Sequence, residues 1–295
     1  MDLSLAGLYV PLITPFTAGG ELAPAALEGL AHCVIDAGAS GVVVFGTTGE
    51  PATLSAGERR AILDICTRVC RERSATLIAG AGSNDTRGSL QALQDLAEWP
   101  GVSAALTVVP YFTRPSQEGV LAHFARLASA SPVPLIIYNI PYRTGQPVGW
   151  QTLRRLADLP GVAGVKQAVG GIDEDTVRLL ADIPDRFAVL AGEDVFTSPL
   201  LALGAAGAVL ASAHLCTGEF AELIAAWRAG QHPRARALGH RLVPLSAALF
   251  AEPNPTIIKA VLHAQGRIPS AAVRLPLLAA GHATVSAALT VLRCI

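Results

Sequence analysis

Few of the 295 residues carry a charge, and the two signs nearly cancel. Asp, Glu, Lys and Arg make up 15% of the chain, and the formal net charge at pH 7 is -1. No segment concentrates Lys and Arg among aromatic residues, so the chain lacks the electrostatic footprint of a protein that binds nucleic acid or an anionic membrane. We therefore expect no nucleic-acid partner. The 51% hydrophobic content is typical of a compact protein with much of its surface buried.

Cysteine is also sparse. The chain has five cysteines, an odd number, at positions 33, 66, 70, 216 and 294. This number does not suit a disulfide framework and favours reduced thiols in a cytosolic protein. Cys66 and Cys70 share a helix face, but no His or further Cys accompanies them, so we interpret both as packing residues. Because the histidines show no ligand spacing either, we expect no metal site.

Long uninterrupted apolar runs are absent. The most apolar stretch, residues 196–216, contains Pro199 and several Ser and Gly residues, so it is better read as a helix followed by a strand than as a membrane span. Near the N-terminus, Asp2 and Pro11 fall in a segment that has neither a basic region nor a signal-cleavage pattern. We therefore expect no membrane association and a cytoplasmic location.

Three common catalytic or nucleotide-binding motifs are missing. The segment "GTTGE" (46–50) lacks the spacing and the lysine of a phosphate-binding loop. The segment "GAGSND" (80–85) carries two glycines but not the full dinucleotide fingerprint. No G-x-S-x-G sequence occurs, which argues against an α/β-hydrolase.

Eight short runs rich in β-forming residues are present, separated by segments with helical periodicity. One of those segments starts with Ser55 followed by Glu58, the spacing of a capping box. Continuous apolar strands that alternate with helices predict parallel strands covered by helices. The predicted strands are 7–13, 41–45, 75–80, 104–109, 134–138, 162–166, 187–192 and 207–212.

The number of these units predicts an α/β fold of the (β/α)₈ TIM-barrel type, whose usual size is about 250 residues. An open doubly wound sheet is the alternative. After residue 212 the pattern changes to helices only, and one of them is predicted to start with Asn254 as N-cap and Pro255 at the first helical position. We therefore predict a catalytic barrel over 1–215 and a C-terminal helical extension over 216–295.

Lys166 lies in "GVAGVKQAVG" (161–170), a run that otherwise reads as a buried strand. Burial disfavours the charged form of an amine, and a free amine is a nucleophile for carbonyl groups. The structural alternative is that Lys166 sits at the strand end and extends its ammonium group to water.

Other polar residues also follow predicted strands, where a barrel carries its reactive groups. Thr47 and Thr48 follow the second strand, Tyr138 ends the fifth, and Arg143 lies in the loop after it. Each has an ordinary structural interpretation: helix capping for the threonines, core packing for Tyr138 and a solvated charge for Arg143. Together with Lys166 they indicate a catalytic face.

These residues lie in motifs that resemble dihydrodipicolinate synthase and the wider group of pyruvate-dependent aldolases that includes N-acetylneuraminate lyase. The likeness covers almost the entire chain. The pattern "YNIPYRTG" is more specific to the synthase than the others are. The motifs are "GTTGE" (46–50), "PYFTRPSQEG" (110–119), "YNIPYRTG" (138–145), "GVKQAVG" (164–170), "AGED" (191–194) and "AEPNP" (251–255).

The resemblance implies a lysine imine as the centre of the chemistry, with no separate cofactor. Lys166 takes the position of the Schiff-base lysine, Tyr138 that of the proton-shuttling tyrosine, and Thr47 that of a proton relay. The implied reaction condenses pyruvate with an aldehyde, L-aspartate 4-semialdehyde in the synthase of lysine biosynthesis. The family also implies a homo-oligomer, a dimer or a tetramer.

The resemblance also assigns binding residues. Thr48, with backbone near Gly192 and Val209, would hold the carboxylate of pyruvate. Arg143 would bind the carboxylate of the second substrate, a task suited to a planar bidentate donor.

The chain departs from the family pattern at three positions. Phe112 stands where the relay has a second tyrosine that reaches across a subunit interface, and we expect a slower aldol step or a different acceptor. Gln167 follows the lysine where the synthase commonly has Glu. Gly88 stands where lysine-inhibited synthases carry an acidic side chain, so we predict little inhibition by lysine.

Two alternatives remain beside the synthase hypothesis. One is a lyase, dehydratase or deaminase that acts on another 2-keto acid through the same imine. The other is a ligand-binding paralogue with reduced catalysis; Phe112 favours it, whereas the presence of Lys166, Tyr138 and Thr47 argues against it.

Overall fold

The computed structural model describes residues 4–295, so Asp2, used above in the interpretation of the N-terminus, lies outside the described residues. In this part of the chain there are eight short apolar strands, each close to a predicted run. They are β1 (Gly7–Pro11), β2 (Gly41–Val44), β3 (Thr76–Gly80), β4 (Val102–Val108), β5 (Leu135–Asn139), β6 (Val162–Gln167), β7 (Ala188–Ala191) and β8 (Gly207–Val209).

The eight strands of residues 4–295 form a closed barrel in chain order. Parallel pairing joins β1 to β2 and links β4 through β8 in sequence. Most of their residues are buried, as expected for parallel strands covered on both faces. The (β/α)₈ prediction is confirmed, and the open-sheet alternative is wrong.

Helices follow the strands and continue beyond the last one. The four helices after β8 are the predicted C-terminal helical extension. In residues 4–295 the helices are α1 (Pro24–Asp36), α2 (Ala56–Glu72), α3 (Thr86–Asp95), α4 (Gln117–Ala128), α5 (Pro141–Thr144), α6 (Trp150–Ala157), α7 (Glu174–Ala181), α8 (Thr197–Ala202), α9 (Thr217–Arg228), α10 (His232–Leu249), α11 (Thr256–Ala264) and α12 (His282–Leu292). Within residues 4–295, no helix has both the length and the apolar character needed to cross a bilayer.

Local start signals were predicted correctly for α2 and incorrectly for α11. The Ser55 hydroxyl accepts from the Glu58 N–H, and the Glu58 carboxylate accepts from the Ser55 N–H, which together form the predicted capping box. Helix α11 begins at Thr256 with Pro255 as its N-cap, so the prediction of Asn254 as N-cap is wrong. The Asn254 amide instead donates to a side chain far away in sequence, described below.

Packing divides the chain into two compact units. The first contains residues 78–209 together with the segment that ends at Gly7; the second contains residues 8–77 and 210–295. The predicted boundary between 215 and 216 stays a prediction.

His214, in the second unit, is buried as a neutral ring between two backbone groups. Its Nε2 accepts from the Ile13 N–H at 3.1 Å, and its Nδ1 lies 2.8 Å from the carbonyl oxygen of Ala211. Only the neutral tautomer with the proton on Nδ1 satisfies both contacts. Burial is the main cause that lowers the pKa of His214 from 6.5 to about 4.

We expect His214 to make the protein less stable in acid. Between about pH 6.5 and pH 4 the unfolded chain protonates this ring and the folded chain does not, so the free energy of unfolding falls as the pH falls. A pKa difference of this size between the folded and unfolded chain changes the free energy of unfolding by about 3 kcal/mol between these two pH values. Urea unfolding at several pH values between about 6.5 and 4 measures this change in the free energy of unfolding. His214→Gln, which keeps one donor and one acceptor, should lose this part of the pH dependence; an unchanged pH dependence in the variant would contradict the assignment.

Candidate active site

Lys166 and Tyr138 lie side by side at the ends of two neighbouring strands. The register of β5 and β6 pairs Tyr138 with Lys166, and Lys166 Nζ lies 4.2 Å from the centre of the Tyr138 ring. Only 7% of Lys166 and 8% of Tyr138 is exposed. The alternative in which Lys166 extends into water is therefore wrong, and the amine and the phenol occupy one buried site.

Gly192, directly after β7, leaves room for the lysine side chain. A Cβ at this position would lie 2.9 Å from Lys166 Cγ and 2.9 Å from Ala168 Cβ, closer than such contacts allow. The Gly192 N–H donates to the carbonyl oxygen of Gln167 at 2.9 Å. Gly192 therefore leaves space for the Lys166 side chain because it has no side chain of its own. Its N–H is already used in the bond to Gln167.

Gln167 follows Lys166 in β6, and successive residues of a strand point to opposite sides. Its side chain is buried and accepts from Asn139 Nδ2 at 2.9 Å, while its own Nε2 donates to Thr176 Oγ1 at 3.0 Å. These bonds connect β5, β6 and α7. The departure from Glu at this position therefore concerns packing behind the strand and not the surroundings of the lysine.

A half-buried carboxyl group, that of Glu193, lies among the basic groups of this unit. Burial raises the pKa of Glu193, as does neighbouring Asp194, whereas Lys166 and Arg143 act to lower it. Among residues 4–295, Glu193 Oε1 is a buried oxygen without a hydrogen-bond partner. Arg143, in α5, is exposed and lies with its guanidinium carbon 5.3 Å from the ring centre of Tyr142. Sequence reasoning missed Glu193, although it belongs to the quoted "AGED" motif.

Three more predicted residues occupy strand ends or the turns that follow them. Val209 is the last residue of β8 and is buried. Thr47 and Thr48 form a 3₁₀ turn after β2, in the second unit, with Thr47 half-buried and Thr48 buried. Their joint action with Lys166 stays a prediction.

The sequence has lysine at positions 166 and 259 and nowhere else. Lys259, in α11, is fully buried, and its Nζ lies 2.6 Å from Glu50 Oε1. Burial is the main cause that lowers its pKa to about 8, while Glu50 opposes that shift. Because its amine is held by a carboxylate and closed off from solvent, Lys259 cannot receive a carbonyl substrate. Of the two lysines, Lys166 therefore stays the candidate for the imine.

Residues 4–291 match the dihydrodipicolinate synthetase family. The chain belongs to this family. The resemblance drawn from the motifs is confirmed.

Relatives of this family match along nearly the whole chain. The 4-hydroxy-tetrahydrodipicolinate synthase of Syntrophus aciditrophicus (strain SB) is 41% identical over 273 residues, which is 92% of this chain and 91% of that protein. Dihydrodipicolinate synthase from Acinetobacter baumannii, solved in complex with pyruvate, superposes with a TM-score of 0.93 at 32% identity and covers 98% of each chain. DHDPS from Cyanidioschyzon merolae, solved with lysine bound, gives a TM-score of 0.93 at 32% identity over 98% of this chain and 97% of that one.

The family runs its chemistry on an imine between pyruvate and a lysine, with no separate cofactor. Among residues 4–295, no cluster of three His, Cys, Asp or Glu side chains is arranged to hold a metal ion. The side-chain groups that the structure brings together here are an amine, a phenol and a half-buried carboxyl group on adjoining elements of one unit.

Proposed function

We propose that this protein is a class I aldolase that condenses pyruvate with L-aspartate 4-semialdehyde to give 4-hydroxy-tetrahydrodipicolinate. The observation that carries the proposal is the buried pair of Lys166 and Tyr138 at adjoining strand ends, in a chain that belongs to the dihydrodipicolinate synthetase family. Lysine biosynthesis is the pathway that this reaction would serve.

The first half of the reaction uses Lys166 as a nucleophile. Its neutral amine adds to the ketone carbon of pyruvate, and loss of water gives an iminium ion. The iminium withdraws electrons from the neighbouring methyl group, which loses one proton and becomes the nucleophilic carbon of an enamine. Tyr138 would carry the protons in both steps because its hydroxyl belongs to the ring beside the amine, with Thr47 as the next member of the relay.

In the second half, the enamine carbon attacks the aldehyde carbon of the semialdehyde and forms the new C–C bond. The aldehyde oxygen takes up a proton and the iminium is restored. The amino group of the second substrate then adds to the iminium carbon, the ring closes, and the Lys166 amine leaves. The amine is thus regenerated for the next cycle.

Substrate binding would use the remaining predicted residues. Thr48, together with the backbone at Gly192 and Val209, would hold the pyruvate carboxylate. Arg143 would bind the carboxylate of the semialdehyde; its exposed position in α5, directly after the strand that carries Tyr138, supports this role.

Assembly and location are part of the proposal. A homo-oligomer, a dimer or a tetramer, is supported by exposed aromatic side chains in the loop after β4 and in α5: Tyr111 is 42% exposed, Phe112 88% and Tyr142 59%. A cytoplasmic location is supported by the free thiols of all five cysteines.

An aldehyde panel tests the reaction. Purified protein is mixed with pyruvate and either L-aspartate 4-semialdehyde or other aldehydes, and pyruvate consumption and products are measured. We expect turnover with the semialdehyde. Turnover only with another partner would favour the alternative 2-keto acid enzyme, and an adduct on Lys166 without any turnover would favour the ligand-binding paralogue.

Phe112→Tyr is expected to raise kcat. Phe112 adopts a left-handed backbone conformation with φ of 69°, and its N–H donates to the Thr144 carbonyl oxygen. Its side chain is exposed, so a second subunit in the proposed oligomer could contact it. A tyrosine there would supply the hydroxyl that the proton relay lacks. The increase should reach up to about 100-fold, the lower end of what a placed proton-transfer group contributes. Phe112→Leu is the control; an unchanged kcat in the tyrosine variant would show that this hydroxyl does not limit the rate.

Free lysine is expected to inhibit this enzyme little. Gly88, in the first turn of α3, leaves no acidic side chain at the position discussed above, and a Cβ there would lie 2.7 Å from Asp85 Oδ2 and 2.8 Å from Ser83 Oγ. The nearby Asp85 carboxylate already caps α3 by accepting from the Gly88 N–H at 2.9 Å. Calorimetric titration with lysine should show no specific binding, and a tight, saturable signal would refute the prediction.

A further inference from the structure

The turn after β2 that carries Thr47 and Thr48 is fixed by contacts with the C-terminal part of the chain. Glu50, which ends the turn, adopts a left-handed conformation with φ of 52°, unusual for a residue other than glycine. Its carboxylate accepts two hydrogen bonds. Oε1 accepts from Lys259 Nζ at 2.6 Å, and Oε2 accepts from the backbone N–H of Arg274 at 2.9 Å. Two hydrogen bonds from distant residues therefore hold the carboxylate of the residue that ends this turn.

A third bond acts on the threonine hydroxyl itself. Asn254 Nδ2 donates to Thr48 Oγ1 at 2.9 Å, and the pair is buried. A hydroxyl has one proton and two lone pairs. Because the Thr48 oxygen accepts from the amide, its proton turns away from Asn254 and stays available for another acceptor.

The surroundings of Asn254 indicate that its amide serves Thr48 and not the stability of helix α11. The residue is not the N-cap of that helix, and Oδ1 is buried without a hydrogen-bond partner among residues 4–295. Here Nδ2, which faces the threonine, has the partner.

We propose that Asn254 is a positioning residue for the keto acid. It fixes the direction of the Thr48 hydroxyl so that the hydroxyl donates its proton to the carboxylate of the bound 2-keto acid. This inference rests on the proposed function, in which Thr48 binds that carboxylate. A freely rotating hydroxyl would present a lone pair to the anion part of the time, whereas a preorganised donor does not.

Asn254→Asp tests the inference because it keeps the shape and replaces the donor by an acceptor. The Thr48 proton would turn to the new carboxylate and be lost to the substrate. We expect the pyruvate concentration that gives half-maximal borohydride-trapped adduct on Lys166 to rise about 10- to 100-fold, the effect of losing a hydrogen bond to a charged group. With methyl pyruvate, a neutral ester, the concentration should change far less.

Asn139→Asp is the matched control, since Asn139 is also buried and also donates through Nδ2, but to Gln167. The thermal stability of the Asn139→Asp variant should fall. The ratio between the pyruvate and methyl pyruvate concentrations that give half-maximal adduct should stay the same. An equal loss for both ligands in Asn254→Asp, or no loss for either, would overturn the proposal. Failure of the wild-type protein to form any adduct would instead overturn the proposed function.

A double-mutant cycle covers the case in which Asn254→Asp does not fold. Because Asn254 acts through Thr48, the variant Thr48→Val with Asn254→Ala should require the same pyruvate concentration as Thr48→Val alone. Additive losses in the double variant would show that Asn254 does not act through the threonine and would refute the inference.

Discussion

Replacing Lys166 with alanine should abolish both the trapped pyruvate adduct and turnover. The lysine supplies the only covalent bond between enzyme and keto acid in the proposed mechanism, and loss of a covalent nucleophile lowers kcat by at least about 10⁴-fold. Lys259, the other lysine, cannot replace it because its amine is bound to Glu50 in a fully buried site. Initial rates with pyruvate and L-aspartate 4-semialdehyde, together with intact-protein mass after reduction, measure the effect.

Lys166→Arg separates chemistry from packing. Arginine keeps the positive charge and the length of the side chain beside Tyr138, but its guanidinium does not form an imine with a ketone. We expect this variant to be as inactive as Lys166→Ala while its fold, monitored by circular dichroism, is kept. Appreciable turnover in either variant would mean that the reaction does not pass through a bond to Lys166.

Tyr138→Phe should lower kcat by about 100- to 10,000-fold, the contribution of a positioned proton-transfer group. The ring stays, and with it the contact of 4.2 Å between its centre and Lys166 Nζ, so the change removes the hydroxyl alone. Imine formation and enamine formation both need proton transfers. Rapid-quench trapping should therefore show a slower approach to the adduct.

Tyr9→Phe is the control for loss of a buried tyrosine hydroxyl. Tyr9 lies in β1, is fully buried, and has its pKa raised to about 12, mainly by burial. This variant should affect the free energy of unfolding and leave kcat unchanged. If Tyr138→Phe had no larger effect on kcat than Tyr9→Phe, Tyr138 would not be the proton carrier.

The strands could be predicted from the sequence because parallel strands are buried on both faces and therefore read as continuous apolar runs. The run 162–166 became Val162–Gln167, and the run 134–138 became Leu135–Asn139. The last run, 207–212, was predicted too long: β8 ends at Val209, and the chain then turns to bring His214 to the Ile13 N–H.

The pair of Lys166 and Tyr138 was also predictable, since reactive groups of a barrel lie at strand ends and neighbouring strands bring those ends together. The contacts of the turn after β2 were not. Glu50 and Lys259 are 209 positions apart in the sequence. Nothing in the sequence around either residue indicates that these two buried groups meet in the fold. Asn254 was misread because a local capping pattern accounted for it equally well.

Borohydride trapping with pyruvate alone tests the proposed chemistry most directly. The folded protein is incubated with excess pyruvate, reduced and digested, and the modified peptide is identified by mass spectrometry; since the sequence has lysine only at 166 and 259, each site gives a distinct peptide. We predict one adduct, on Lys166. No adduct, or an adduct on Lys259, would contradict the assignment of Lys166 as the nucleophile.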